Sequence, residues 1–343
     1  MKYDVLIIGA GPGGSTAAYR LAEGGAKVLL IDTRKEVGYP VQCAEFVPIQ
    51  LSYKFPEFFT DETVAQKVKD MVHYTPWGEV VSMYSEGFIL RREKWDKRIA
   101  ELAQKKGAKL RTKTKFIGFK NGYALLKDLR KGEIVKVKAD FIIGADGARS
   151  KVAKETGNFT KEFLITAQYT LKLKRPLEDL LIFFRDYIPG GYGWIFPKGE
   201  FANVGVGIDL YYKLNVVEVL NRFIKELGEF VYTNPVLGRT GGFIPGEGII
   251  EPLRGRVLLV GDAGGFCHPI TGGGIANAVL TGDMAARSIL EGEPEEYEEE
   301  ALDTFGASIN RAASKRKKLM KEWDRLEWRI PRTWIAFEEY YGD

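Results

Sequence analysis

Histidine and cysteine are scarce in this chain of 343 residues, two of each. Cys43 and Cys267 cannot build a disulfide framework. No metal site is expected. No apolar run reaches the roughly 20 residues that cross a bilayer, so any membrane contact would be peripheral. The basic residues are spread rather than blocked. Fifty Lys and Arg against 46 Asp and Glu leave a net charge of +4, spread along the chain, which argues against a nucleic-acid partner. The opening MKYDVLIIGAG lacks a charged head followed by a cleavable apolar core and reads as strand and turn. The expectation is a cytoplasmic globular protein, attached to membrane peripherally if at all. Its length suits two connected domains or one large α/β unit.

Glycine is plentiful, and it is placed with purpose. The apolar run Tyr3 to Ile8 leads into GAGPGG, then STAAYRLAEGGAKVLLID: strand, glycine turn, helix, strand. Gly9, Gly11 and Gly14 occupy G-x-G-x-x-G, where one glycine makes the tight turn, one admits a pyrophosphate and one lets helix and strand approach. Pro12 and Gly13 open the helix, whose free amides suit a phosphate. Asp32 ends the second strand, where an acid accepts from a ribose hydroxyl. This unit alone does not choose between FAD and NAD. Two later segments also place a strand before a glycine turn: FIIGADGARS, with Asp146 and Gly147, and VLLVGDAGG, with Gly261 and Asp262.

Together these three segments resemble the FAD fingerprints of the flavoprotein group that includes para-hydroxybenzoate hydroxylase, in the same order and across most of the chain. The resemblance implies a ribityl contact at Asp262 and a cofactor-placing role for Asp146. It also implies an FAD-contacting arginine at Arg92, with Arg91 a close rival. Gly272, Gly273 and Gly274 precede a helix, whose N-terminal amides would stabilise negative charge on reduced flavin.

Near mid-chain stands PGGYGWIFPKGE. In a strand, Tyr192, Trp194 and Phe196 share one face and Gly193 and Ile195 the other. A row of this kind suits a core strand as well as a binding wall. The run matches P-x-x-Y-x-W-x-F-P at every specified position and is similar to the motif of the geranylgeranyl reductase family. GYPVQCAEFV resembles that family's cysteine segment beside the flavin, which maps onto Cys43 and Ala44. The resemblance implies reduction of isoprenoid double bonds, with Tyr192, Trp194 and Phe196 binding the prenyl chain. Aromatic faces favour a tertiary carbocation, by about 2 kcal/mol or more when desolvated. Cys43, His268 and Tyr192 are the candidate proton donors. No second glycine-rich unit for a nicotinamide is evident, so NADPH, ferredoxin or another reductant would deliver electrons. Two rival readings are an FAD monooxygenase and a flavin-containing lipid-binding protein; the halogenase pattern W-x-W-x-I-P is absent.

The expected fold is α/β: a Rossmann-type FAD-binding domain (1–45, 88–158 and 246–291), an inserted antiparallel substrate domain (46–87 and 159–245) and a C-terminal helical region (292–343). Residues 46–87 read as loops and short strands. The tail from about Glu295 to Ile330 reads as helix, with a stripe that includes Leu302, Phe305 and Ile309. A rival basic face would hold Arg311, Lys315, Arg316, Lys317, Lys318 and Lys321. The family has a longer region after its last FAD motif, so a shortened C-terminus is expected and the depth of the lipid cavity stays open.

Overall fold

A computed structural model describes residues 2–342, which form two eight-stranded sheets. The first is a nucleotide-binding sheet. Lys2–Ile8 lies at its centre because Val5, Leu6 and Ile7 are wholly buried, as both faces of a parallel strand require. It pairs in parallel with Val28–Ile31 and Ile134–Gly144, and Val257–Leu259 joins the latter. The register sets Ile8 opposite Ile31 and Gly144, with Leu259 opposite Gly144. Four strands therefore end at one level, where open α/β sheets bind ligands. Pro12–Glu23 and Ile275–Glu291 pack closely at this edge: a Cβ at Gly282 would lie 2.2 Å from the Gly13 carbonyl.

The second sheet runs in the order Gly238–Pro245, Phe163–Lys172, Phe201–Asp209, Tyr192–Lys198, Leu180–Phe183, Val64–Tyr74, Val80–Leu90, Phe46–Pro48. Its neighbours are antiparallel except Leu180–Phe183 against Val64–Tyr74. Helix Val216–Glu226 covers one face, and Ile195, Val204, Val206 and Phe223 form the core beneath it. Gly193 belongs to that side, since a Cβ there would stand 2.5 Å from the Phe223 ring. Tyr192, Trp194 and Phe196 face the opposite way, in a cluster with Ile182 and Ile270.

Three expectations need correction. Residues 46–87 are not mainly loops and short strands: Val64–Tyr74 and Val80–Leu90 are long paired strands, the latter running three residues past position 87. Their alternation is masked by polar residues, because both lie toward the exposed end of the sheet. The tail is not one helix. It breaks at Glu322 between Glu296–Lys321 and Leu326–Thr333, where the Glu322 carboxylate accepts from Arg329 Nε at 2.8 Å and the Trp323 indole donates to the Asp186 carbonyl at 2.7 Å. Leu302 of the expected stripe is exposed, and Arg316 of the expected basic face is buried against Asp209 and Glu162.

Candidate active site

One cavity of about 880 Å³ lies between the strand ends of the first sheet and the aromatic face of the second. Gly9, Gly11, Pro12 and Gly13 form one wall. Gly9 has φ +106, and a Cβ there would stand 2.2 Å from the Ala145 carbonyl, so the first and second glycine motifs abut. Nothing stands within 4 Å of a Cβ at Gly11, which leaves backbone room for a phosphate. Gly14 lies behind the wall, where a Cβ would meet Gly9 O at 1.9 Å. Asp32 accepts from the Ala10 amide at 2.9 Å and from Arg34. Burial works against its ionisation, but Arg34 and the two amides hold the carboxyl below its ordinary value.

Asp146 and Gly147 reach the same cavity. The Asp146 carboxylate accepts from Ser150 Oγ at 2.5 Å and from the amides of Lys151 and Val152, so it shapes the turn into Lys151–Glu155. On the far wall, Gly261, Asp262 and Gly272 to Gly274 precede Ile275–Glu291. Burial pushes Asp262 up to about 6, with Arg92 pulling the other way. These residues fit FAD: Gly11 leaves open backbone, Asp32 stands at the strand end, and two helix N-termini border one cavity.

Residues Val41 to Glu45 hang from the second sheet. Thr240 Oγ1 donates to Val41 O at 2.6 Å, Gln42 Nε2 to Gly241 O at 2.9 Å, Gln168 Nε2 to Cys43 O at 3.1 Å and Asn203 Nδ2 to Ala44 O at 3.3 Å. Glu45 sits in the left-handed region at φ 75. Its buried carboxylate accepts from Lys198 Nζ at 2.9 and 2.7 Å, from Asn203 Nδ2 at 2.7 Å and from the Arg92 amide at 3.0 Å. The Glu45 amide donates to Cys43 Sγ at 3.2 Å. Burial pushes the Cys43 thiol up, and Arg92 opposes that shift. Arg92 lines the cavity and pairs with Asp96 at 2.6 Å, whereas Arg91 turns away to the carbonyls of Asp61, Glu62 and Val64.

Tyr192, Trp194 and Phe196 form the opposite wall. Tyr192 and Trp194 meet edge to face at 5.8 Å, and Phe196 meets Phe46 at 6.4 Å. The Trp194 ring lies over Gly205, where a Cβ would come within 2.2 Å of it. The Tyr192 hydroxyl donates to the Thr271 carbonyl, joining the wall to the glycine loop, and burial raises its pKa. His268 is not among the cavity-lining residues. Its Nδ1 accepts from the Thr271 amide at 3.2 Å, and burial lowers its pKa to about 4.

Sequence reading missed Glu45, Gln168, Lys198, Asn203 and Trp334. Trp334 lines the cavity and meets Tyr192 at 4.9 Å. The glycines of NVGVG facing the Trp194 ring were the available signal for part of this wall; the others carry none.

A dinucleotide cradle on a parallel sheet, faced by an apolar aromatic wall, defines an FAD-dependent oxidoreductase. Residues 3–186 match the pyridine nucleotide-disulphide oxidoreductase family, and residues 163–243, with the whole aromatic strand, match the geranylgeranyl reductase catalytic domain. The chain is 37% identical to the digeranylgeranylglycerophospholipid reductase of Methanosarcina acetivorans, over 90% of this chain and 82% of the relative. It is 34% identical to that of Thermoplasma acidophilum, over 98% and 87%. The chain belongs to the digeranylgeranylglycerophospholipid reductase family. Its structure is similar to that of a geranylgeranyl bacteriochlorophyll reductase-like protein of Thermoplasma acidophilum, with TM-score 0.84, 28% identity and coverage of 97% and 96%. A flavin-dependent brominase, at TM-score 0.76 and 19% identity over 98% and 93%, shows the fold alone.

Proposed function

We propose that this protein saturates the isoprenoid double bonds of geranylgeranyl chains carried on glycerophospholipids. The observation that carries this reading is the aromatic wall Tyr192–Trp194–Phe196 inside the same cavity as the nucleotide cradle. FAD, bound there and reduced, supplies hydride. The protein must then hold an electron-rich alkene, deliver a proton to one carbon and shelter positive charge on the other until hydride adds there. Trp194 and Tyr192 offer ring faces for that charge, and the apolar lining excludes water that would trap it.

Cys43 is the proton donor that the surroundings support best. Burial keeps the thiol protonated, while the Arg92 guanidinium and the Glu45 amide stabilise the thiolate left behind. Tyr192 commits its hydroxyl proton to Thr271, and the lowered pKa of His268 leaves it neutral near pH 7. Gly9, Gly11 to Gly14, Asp32, Arg92, Asp146, Asp262 and Gly272 to Gly274 serve the cofactor. Two electrons per double bond come from an external reductant, such as NADPH or a ferredoxin.

Peripheral contact with anionic membrane is part of this reading. Leu210, Tyr211 and Leu214 are exposed beside Lys213, and the Tyr212 hydroxyl donates to Met320 O, tying this tip to the helix end that bears Lys318 and Lys321. The experiment incubates the FAD-loaded protein and a reductant with digeranylgeranylglycerophospholipid, with and without oxygen. Hydrogenated lipid in both supports the reductase; hydroxylated product formed only with oxygen supports a monooxygenase instead.

A further inference from the structure

Two amide side chains, Gln168 and Asn203, interrupt the apolar face beneath the aromatic row, and both are buried. Gln168 belongs to Phe163–Lys172. Its Oε1 accepts from the Trp194 indole N–H at 3.0 Å, and its Nε2 donates to the Cys43 carbonyl at 3.1 Å. An indole N–H can only donate and a carbonyl can only accept, so the two partners fix which end of the amide faces each. We propose that Gln168 is a positioning residue that locks the Trp194 ring and the Cys43 segment into one geometry for protonation and cation shelter. This assignment rests on the prenyl-reductase reading of the cavity.

Three physical consequences follow from the bridge. Turning the Trp194 ring over would leave a buried N–H without a partner, at a cost of about 1–3 kcal/mol, so the bond selects one ring orientation. Donation from the indole N–H enriches the ring in electron density, which strengthens its attraction for a cation. Pinning the Cys43 carbonyl, while the Glu45 amide holds Sγ from the other side at 3.2 Å, restricts where the thiol proton can be presented. Tyr192 cannot substitute, because its hydroxyl is committed to Thr271. The coupling also joins parts of the wall that lie far apart in sequence: Gln168 and Cys43 are 125 residues apart.

The test uses FAD-loaded Gln168→Met, which keeps length and removes both bonds, and Gln168→Glu, which keeps shape. Gln168→Met should retain FAD and hold KM for the lipid within about threefold, while kcat falls roughly 10- to 100-fold, the scale of a small misplacement at the reacting atoms. In Gln168→Glu the carboxylate still accepts from Trp194 but has no proton for the Cys43 carbonyl; protonation restores both bonds. Its kcat should therefore rise as pH falls, a limb absent from the wild type. A readout independent of turnover is the Trp194 indole N–H resonance, assigned by its loss in Trp194→Phe. It should move and lose exchange protection in Gln168→Met and persist in Gln168→Glu. Wild-type kcat in Gln168→Met, or an unmoved indole resonance there, overturns the assignment. If Gln168→Met does not fold, a Gln168→Glu profile that parallels the wild type overturns it. A wild-type protein that reduces no prenyl lipid overturns the underlying reading instead.

Discussion

Glu45 holds more of this site together than any residue on the aromatic wall. It sits at φ 75, a region costly for a non-glycine residue, and persists there because Lys198, Asn203 and the Arg92 amide all bind its carboxylate. Glu45→Ala should destabilise the protein by about 3 kcal/mol, since it strands buried partners, as chemical denaturation will measure. Asp262 gives a pH signature. Burial raises it from its ordinary 3.8 to about 6, so the FAD-free native state binds more protons than the unfolded chain between those values. Stability therefore falls as pH rises from about 4 to about 6 and then levels. Asp262→Asn should flatten that slope in thermal melts of the FAD-free protein. Neither residue is equally legible in the sequence: Asp262 stands in a recognisable strand-turn motif, whereas Glu45 finds Lys198 only 153 positions away.

At the scale of elements, legibility follows contiguity. Strand, glycine turn, helix and terminal acid of the first nucleotide unit lie within some 30 successive residues, so local pattern alone places them. Val64–Tyr74 and Val80–Leu90 escape the same reading because Lys, Glu, Ser and Asp fall on their exposed sides. Helix Val216–Glu226 also goes unread, since its valines favour strand until Leu220, Phe223 and Ile224 dock on the sheet. The tail shows how tertiary contacts override periodicity. Its stripe continues through Leu326 and Ile330, yet Glu322 is drawn to Arg329, and the turn delivers Trp334 to the cavity. Trp334 is 3% exposed and contacts Tyr192 and Phe184. Trp334→Ala should cost about 3 kcal/mol in denaturant midpoint experiments, a typical figure for emptying a buried aromatic site.

For the whole molecule, the proposed function gives the first sheet the cofactor and the second the substrate, and the segment Val41 to Glu45 joins them through bonds to four strands. Among the described residues, no helix is long and apolar enough to cross a membrane. Neutralising Lys318 and Lys321 should weaken co-sedimentation with anionic vesicles by roughly 30-fold, at about 1 kcal/mol per cation, and leave FAD content unchanged. Equal sedimentation of both proteins would move membrane contact elsewhere on the molecule.

The fate of the hydride on the reduced cofactor separates a reductase from any other use of this cavity. Its most direct test is an anaerobic single turnover: the FAD protein is reduced chemically, mixed with digeranylgeranylglycerophospholipid, and followed by flavin absorbance and product mass together. One flavin should reoxidise for each double bond that gains two hydrogens. Flavin that stays reduced beside bound lipid, or reoxidises with no hydrogen gained by the lipid, would contradict the reductase function.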